Sequence, residues 1–340
     1  MNIFAQKPIY LDYAALTPID PEVQDRMDEL YDVSVGNPSS LHSFGVKAKK
    51  VLEESRRQVA ACINAHPDEI FFTSSATEAN RIALSAGSHV LTSPIEHSSI
   101  FEYAKDPTFF EIEKSGRVII PKNIPENTDL ISLQWVNNEI GTIQPVYEVG
   151  NVVKEKNSLY HIDASQAPIT QEIDMQKVKA NFLTLGGNKI YGPRGVGMLY
   201  IRRGTAFTMP HQSTPNVPAI GGFALALTKV TKNREKNVAH LKKINSFFSF
   251  TANGDHRSPH ILNITFPNID AEYLVLQLDA KGIAVSTKSS CLRDEEESYV
   301  LRAIGVNSKE TIRFSFGVDT TEGDIKRLML VLEQLGVIRG

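Results

Sequence analysis

Thr184-Leu185-Gly186-Gly187-Asn188-Lys189-Ile190-Tyr191-Gly192-Pro193-Arg194-Gly195-Val196-Gly197 holds one lysine in a stretch framed by glycines on both sides. Apolar runs flank it, Phe182 to Leu185 before and Val196 to Ile201 after, and both read as strands. Glycine at these positions lets backbone approach a flat ligand closely. Most lysines are solvated surface charges. An amine enclosed directly after a buried strand is different, because burial favours its uncharged form, which is what condensation with an aldehyde cofactor needs.

Outward from this loop, short β-branched runs alternate with helical spacing: strands at Glu69 to Thr73, Asp129 to Val136 and Leu159 to Asp163, helices at Val46 to Asn64 and Val146 to Lys156. That alternation predicts an α/β fold around a mostly parallel sheet. A long helical pattern from Ala219 to Phe247 then leads to a loop at Asn253 to Pro259 and into a smaller α+β unit. Its strands are expected at Ile261 to Phe266 and Thr311 to Phe316, its helices near Ala271 to Lys281 and Thr321 to Leu335.

The chain has 340 residues, 41% of them hydrophobic and 22% charged, enough for two domains with ordinary cores. A formal charge of -3 supplies no global basic field for nucleic acid or anionic membrane, so neither is an expected partner. Met1 to Pro8 lacks the pattern of a secretory signal, and no run is long and apolar enough to span a bilayer, which makes the cytoplasm the default compartment. The two cysteines form no disulfide framework and stand at no metal-ligand spacing with histidine, so no metal is expected.

Two further segments carry chemistry. In His161-Ile162-Asp163-Ala164-Ser165-Gln166 a carboxylate closes an apolar strand, where it is costly unless it meets a cation. A protonated pyridine nitrogen is one such cation; a turn or helix-cap aspartate is the other reading. Thr73-Ser74-Ser75-Ala76-Thr77-Glu78 gathers hydroxyls and N–H groups between a strand and a helix, which suits either a phosphate or a plain capping box.

Taken together these segments resemble the cysteine desulfurases of the class V aminotransferase group. The resemblance runs through Ile9 to Ala15, Gly36 to His42, Glu96-His97, Asn137 to Gly141, Asp163 to Gln166, Lys189 to Gly197, Ser289-Ser290-Cys291, Ser298 to Arg302 and Ile312 to Ser315, collinear over nearly the whole chain. It implies a pyridoxal 5'-phosphate enzyme of fold type I, with a large cofactor-binding domain over residues 15–235 and a small domain from 1–14 and 236–340 that carries the nucleophile loop. Lys189 would bond the cofactor and move the α-proton, Asp163 would pair with the ring nitrogen, Gln166 would reach the ring hydroxyl, and His97 would stack on the ring. Ala76, Thr77 and Asn188 would hold the phosphate, with Thr214 reaching the phosphate of a partner subunit. Asn138 and Arg313 would orient L-cysteine, and Cys291 would take its sulfur as a persulfide, for delivery to an acceptor protein. A homodimer is implied. Cys62, on a helical pattern, is assigned to packing.

The sequence departs from the family at the phosphate. Gly186 stands where relatives usually have Ser, Asn188 where they have His, and Ser75 where they have Gly. The segment from Arg203 to Asn216 is shortened, leaving Thr214 as the nearest match to the threonine shared across the dimer. An acidic run, Asp294 to Glu297, follows Cys291. Selenocysteine lyase and a non-catalytic, partner-binding homologue are the alternative readings.

Overall fold

The computed structural model describes residues 7–33, 35–154, 156, 158–210, 213–288 and 297–338. The first described elements are β1 (Ile9–Tyr10), α1 (Pro21–Val33) and α2 (Ser43–Cys62). His42 caps α2 by accepting the Gly45 N–H on Nδ1, which starts the helix ahead of Val46, where its apolar spacing becomes visible. Helices and strands then alternate through β2 (Ile70–Thr73), α3 (Ala76–Leu84), β3 (Val90–Thr92), α4 (Ser98–Tyr103), β4 (Thr108–Phe109), β5 (Leu130–Gln134), α5 (Val146–Lys154), β6 (Leu159–Asp163), β7 (Phe182–Gly186) and β8 (Gly197–Ile201).

These strands form one seven-stranded sheet in the order β2-β8-β7-β6-β5-β3-β4. β3 to β7 pair in parallel, and β8 alone runs antiparallel to both its neighbours, β2 and β7. Residues 187–196, between β7 and β8, are too few for the crossover of roughly a dozen or more that a parallel pair requires. The Lys189 loop is therefore the place where the sheet turns back on itself.

Strand alternation divides the core into two layers. Leu130, Phe182, Leu199 and Ile201 pack on the α3 side with Ile82 and Leu84. Ile131, Leu133, Ile162, Leu183 and Tyr200 face the other way, toward the layer that includes Val59 of α2. With both faces covered, β5, β7 and β8 are buried along their whole length, including the polar Ser132, Gln134 and Thr184 within mostly apolar runs.

The chain continues with α6 (Val217–Lys232) and α7 (Arg234–Asn245), which the sequence had run together as a single pattern. Asn233 divides them: its backbone N–H and its side-chain Nδ2 both donate to Lys229 O and close α6. There follow β9 (Ala252–Asn253), which takes the first residue of the expected loop, then β10 (Ile261–Thr265), α8 (Ala271–Asp279), β11 (Ile283–Ala284), α9 (Tyr299–Ala303), β12 (Thr311–Ser315) and α10 (Glu322–Gln334). β12, β10 and β9 make an antiparallel sheet, and β1 pairs in parallel with β11. β1 thus lies beside a late strand, and Asp12 bridges to Ser315.

Candidate active site

A cavity of about 250 Å³ opens where β2, β5, β6 and β7 end, the edge at which open α/β sheets collect ligands. It brings together Lys189, Asp163, Gln166, His97 and Asn138. Ala76, Thr77, Asn188 and Arg313 complete the sequence-expected residues that line it. Thr214 is exposed and lies outside the cavity, and Cys291 falls outside the described residues. A somewhat larger cavity, about 350 Å³, lies beyond Ile190 and Tyr191 but contains none of the expected site residues.

Lys189 ends a short 3-10 turn, Gly187–Lys189, that follows β7 directly. The turn is tight because Gly187 donates to Val196 O and receives the Gly192 N–H on its own carbonyl. A Cβ at Gly187 would lie 2.5 Å from Pro193 O, so a side chain there is sterically excluded. Lys189 Nζ donates to two carbonyls of the N-terminal segment, Ala14 O at 2.8 Å and Ala15 O at 2.5 Å. Gln166 is tied to the same segment, its Nε2 donating to Ala14 O at 2.9 Å, while His260 Nε2 stands 3.4 Å from its Oε1.

Asp163, 7% exposed at the end of β6, is held on both carboxylate oxygens. Oδ1 accepts the Ser165 N–H and O–H at 3.0 and 2.6 Å, and Oδ2 accepts from Asn80 Nδ2 at 2.8 Å. The turn reading of the sequence is thus present at Oδ1, in the same residue that faces the cavity. Asn80 also donates to Ser99 Oγ at 3.0 Å, and Ser99 Oγ lies 2.8 Å from His97 Nδ1. With both amide donors used, Asn80 Oδ1 is buried without a partner among the described residues, a cost of about 1–3 kcal/mol. Asn80, Ser99 and Ser165 were not singled out from the sequence. Asn80 lies four residues after Ala76 on α3, one turn further along the same face, and that spacing is the signal that would have found it.

Below this wall two buried groups have shifted proton affinities. Burial pulls His161 down to about 4, only partly opposed by Asp163; its ring sits between Ser132 Oγ and Thr184 Oγ1. Burial pushes the Glu96 carboxyl up to about 8, although Ser93 Oγ and the Gln134 N–H both donate to it.

At the opposite end, Ser75 caps α3 by accepting the Glu78 N–H, and Glu78 Oε2 accepts the Ser74 N–H and O–H. The capping reading of this segment is therefore present, yet it leaves the N–H groups of Ala76 and Thr77 without acceptors among the described residues. Two unspent donors at a positive helix end form an anion site. β8 starts beside them at Gly197, where a Cβ would lie 2.6 Å from Ser75 C. A Cβ at Gly186 would meet Asn188 Oδ1 at 3.1 Å and Ala76 Cβ at 3.2 Å. The space that a serine would take in relatives is thus narrowed by Asn188 and Ala76.

Arg313, 1% exposed on β12, donates from Nη2 to Asp12 Oδ1 at 2.6 Å and from Nη1 to Asn138 O at 3.0 Å. Its Nε has no partner among the described residues. α9, which follows the segment bearing Cys291, is pinned to the same region: Ser298 Oγ donates to Glu139 Oε2 and Tyr299 OH to the Glu96 carbonyl, both at 2.6 Å. Cys62, assigned to packing, is partly buried with Sγ 3.5 Å from Thr228 Oγ1, and burial raises its thiol pKa.

Comparison with known proteins matches residues 9–216 and 206–328 to the family model Aminotransferase class-V. The chain is 36% identical to "Cysteine desulfurase IscS" of Pseudomonas entomophila over 94% of this chain and 90% of that protein. Among solved structures, a "NIFS-LIKE PROTEIN" superposes with a TM-score of 0.90 at 29% identity, covering 97% of this chain and all of the other. "SspA in complex with cysteine" gives 0.77 at 28% identity, over 91% and 98%. A seven-stranded sheet with a lysine at its turn, a carboxylate at the end of β6 and an anion site at α3 accords with these matches: the chain belongs to the class V aminotransferase family, in its cysteine desulfurase group.

Proposed function

We propose that this protein is a pyridoxal 5'-phosphate-dependent cysteine desulfurase, converting L-cysteine to L-alanine and passing the sulfur through a persulfide on Cys291. What supports the reading is a single convergence: one cavity is lined by Lys189, by the nearly buried Asp163 and by the two unspent N–H groups of α3. An amine, a carboxylate and an anion site fit the aldehyde, the ring nitrogen and the phosphate of this cofactor.

Lys189 would hold the cofactor covalently through Nζ and later serve as the base for the substrate α-proton. Asp163 would keep the ring nitrogen protonated, and Gln166 would meet the ring hydroxyl. Ala76, Thr77 and Asn188 would bind the phosphate, with Thr214 of each chain serving the partner's site in a homodimer. Pyridoxal phosphate, when bound, supplies an electron sink for the pair left when the α-proton departs. Arg313, fixed by Asp12 and the Asn138 carbonyl, would present N–H groups not spent on them to the substrate carboxylate beside Asn138. The Cys291 thiolate would attack the substrate sulfur. The carbon–sulfur bond breaks with its electrons left on the β-carbon, which takes up a proton on the way to alanine.

The residue ranges 15–235 for the large domain, and 1–14 with 236–340 for the small one, belong to the same proposal. So do a cytoplasmic location and an acceptor protein for the persulfide. No described helix is long and apolar enough to cross a membrane.

The test is the visible spectrum of the purified protein with added pyridoxal phosphate. A band from the lysine-bound cofactor that shifts on adding cysteine is expected, and no band at saturating cofactor would refute the reading. Cys291→Ala should retain the band and lose sulfide release.

A further inference from the structure

We propose that Asn80 and Ser99 are positioning residues, and that they hold His97 in the tautomer protonated at Nε2 while steadying Asp163. One run of hydrogen bonds, Asp163–Asn80–Ser99–His97, would then set both groups. The inference rests on the cofactor reading for its purpose, but its geometry stands without cofactor.

The direction of each bond follows from the first. Asp163 Oδ2 accepts from the amide nitrogen of Asn80 at 2.8 Å. The same nitrogen lies 3.0 Å from Ser99 Oγ and spends its second hydrogen there. Ser99 Oγ, already accepting, has its own O–H left for His97 Nδ1, 2.8 Å away. The backbone N–H of Ser99 points to that nitrogen too, at 3.2 Å, because His97 caps α4. Two donors converge on Nδ1 and leave no room for a proton on it. The neutral ring therefore carries its hydrogen on Nε2, which fixes the nitrogen through which His97 can give or receive a proton.

Asn80 and Ser99 are 1% and 3% exposed, so water does not compete for these bonds. Asn80 reaches from the strand side of this run to the helix side, since Asp163 closes β6 and His97 precedes α4. A change at Asn80 should reach both ends, whereas a change at Ser99 should reach His97 alone.

The test uses the full chain without cofactor, labelled with 15N-histidine, at about pH 8.5, well above the usual histidine value. Two-bond 1H–15N correlation should show His97 Nδ1 as a bare acceptor and Nε2 as protonated. In Ser99→Ala both shifts should move toward the average of exchanging tautomers, and Ser99→Thr should restore them. Asn80→Asp should also move them, because the new carboxylate draws the Ser99 O–H away from the ring. A protonated Nδ1 in the unaltered protein, or unchanged shifts in either Ser99→Ala or Asn80→Asp, would overturn the proposal. With cofactor and cysteine, Ser99→Ala should lower kcat about tenfold and leave KM within about twofold. The tautomer is read without substrate, so failure of the desulfurase reading would leave this result standing, and the reverse also holds.

Discussion

Around Asp163 the cavity wall is a mesh of side chains: Ser165 and Asn80 both donate to the carboxylate, Asn80 donates in turn to Ser99, and Ser99 meets His97. Around Ala76 the wall is mostly backbone, with two N–H groups unspent and close approach permitted by Gly186 and Gly197. The side-chain wall fixes charge and tautomer but yields to any substitution within it. The backbone wall offers donors that no side-chain change can delete, and a substitution acts on it only by crowding.

Lys189→Ala tests whether either wall suffices without the covalent anchor. Alanine formation should fall by about 10⁴-fold or more, since both the anchor and the base are lost. Asp163→Asn strikes the side-chain wall: a neutral amide cannot hold a ring nitrogen protonated, and it breaks the acceptor pattern that Asn80 and Ser165 serve. A loss of about 10³-fold in kcat is expected from steady-state kinetics, with the phosphate still bound.

Gly186→Ser strikes the backbone wall. The new Cβ would press on Asn188 Oδ1 and Ala76 Cβ, so the melting temperature of the cofactor-free protein should drop by an amount equivalent to about 1–3 kcal/mol. Adding Asn188→Ala should return part of it, and a double-mutant cycle with no coupling would show that the contact is absent in solution.

The gentlest test is pH, which should act beneath the side-chain wall alone. Glu96 is pushed up by burial from 4.5 to about 8, so unfolding releases a proton between those values and stability falls as pH rises. His161 and His260 are pulled down by burial from 6.5 to about 4, so unfolding takes up protons in that range and stability rises with pH. With both effects the cofactor-free protein should be most stable near pH 6.5. Glu96→Gln keeps an amide oxygen that can accept the Gln134 N–H and removes the titration, so it should flatten the alkaline decline, which is at most about 1.4 kcal/mol per pH unit. Urea titrations across pH would check this.

Much of this was legible in the sequence. Strands such as Leu159–Asp163 carry their own pattern; Asp163 closes its strand, and Lys189 and Thr77 follow shortly after theirs, where an α/β sheet gathers its ligands. Val90–Thr92 was missed because three buried residues are too short a run to declare a period. Asn233 was missed as a helix break because one polar residue within a helical pattern reads as an exposed position. Ser99 was invisible for another reason: it is an ordinary small polar residue on a helix, and for it, as for the partners of Asn80, only the tertiary crossing of α3, α4 and β6 decides what it meets. Arg313 was expected to face substrate carboxylate, and its engagement by Asp12, 301 residues away, could not be read from spacing.

That last pairing also orders the site in time. A growing chain has Ala14 and Ala15 available from the start, and it can close the sheet around Lys189 once β8 has emerged. Arg313 arrives only after residues 190–312 have been made, roughly 6 to 25 s later at ordinary rates of synthesis. Until then Asp12 waits without its guanidinium, and the amino-acid side of the cavity has Asn138 but lacks its cation. An unfinished or prematurely terminated chain would present the lysine loop without Arg313, so competence to handle substrate is deferred until synthesis is almost complete.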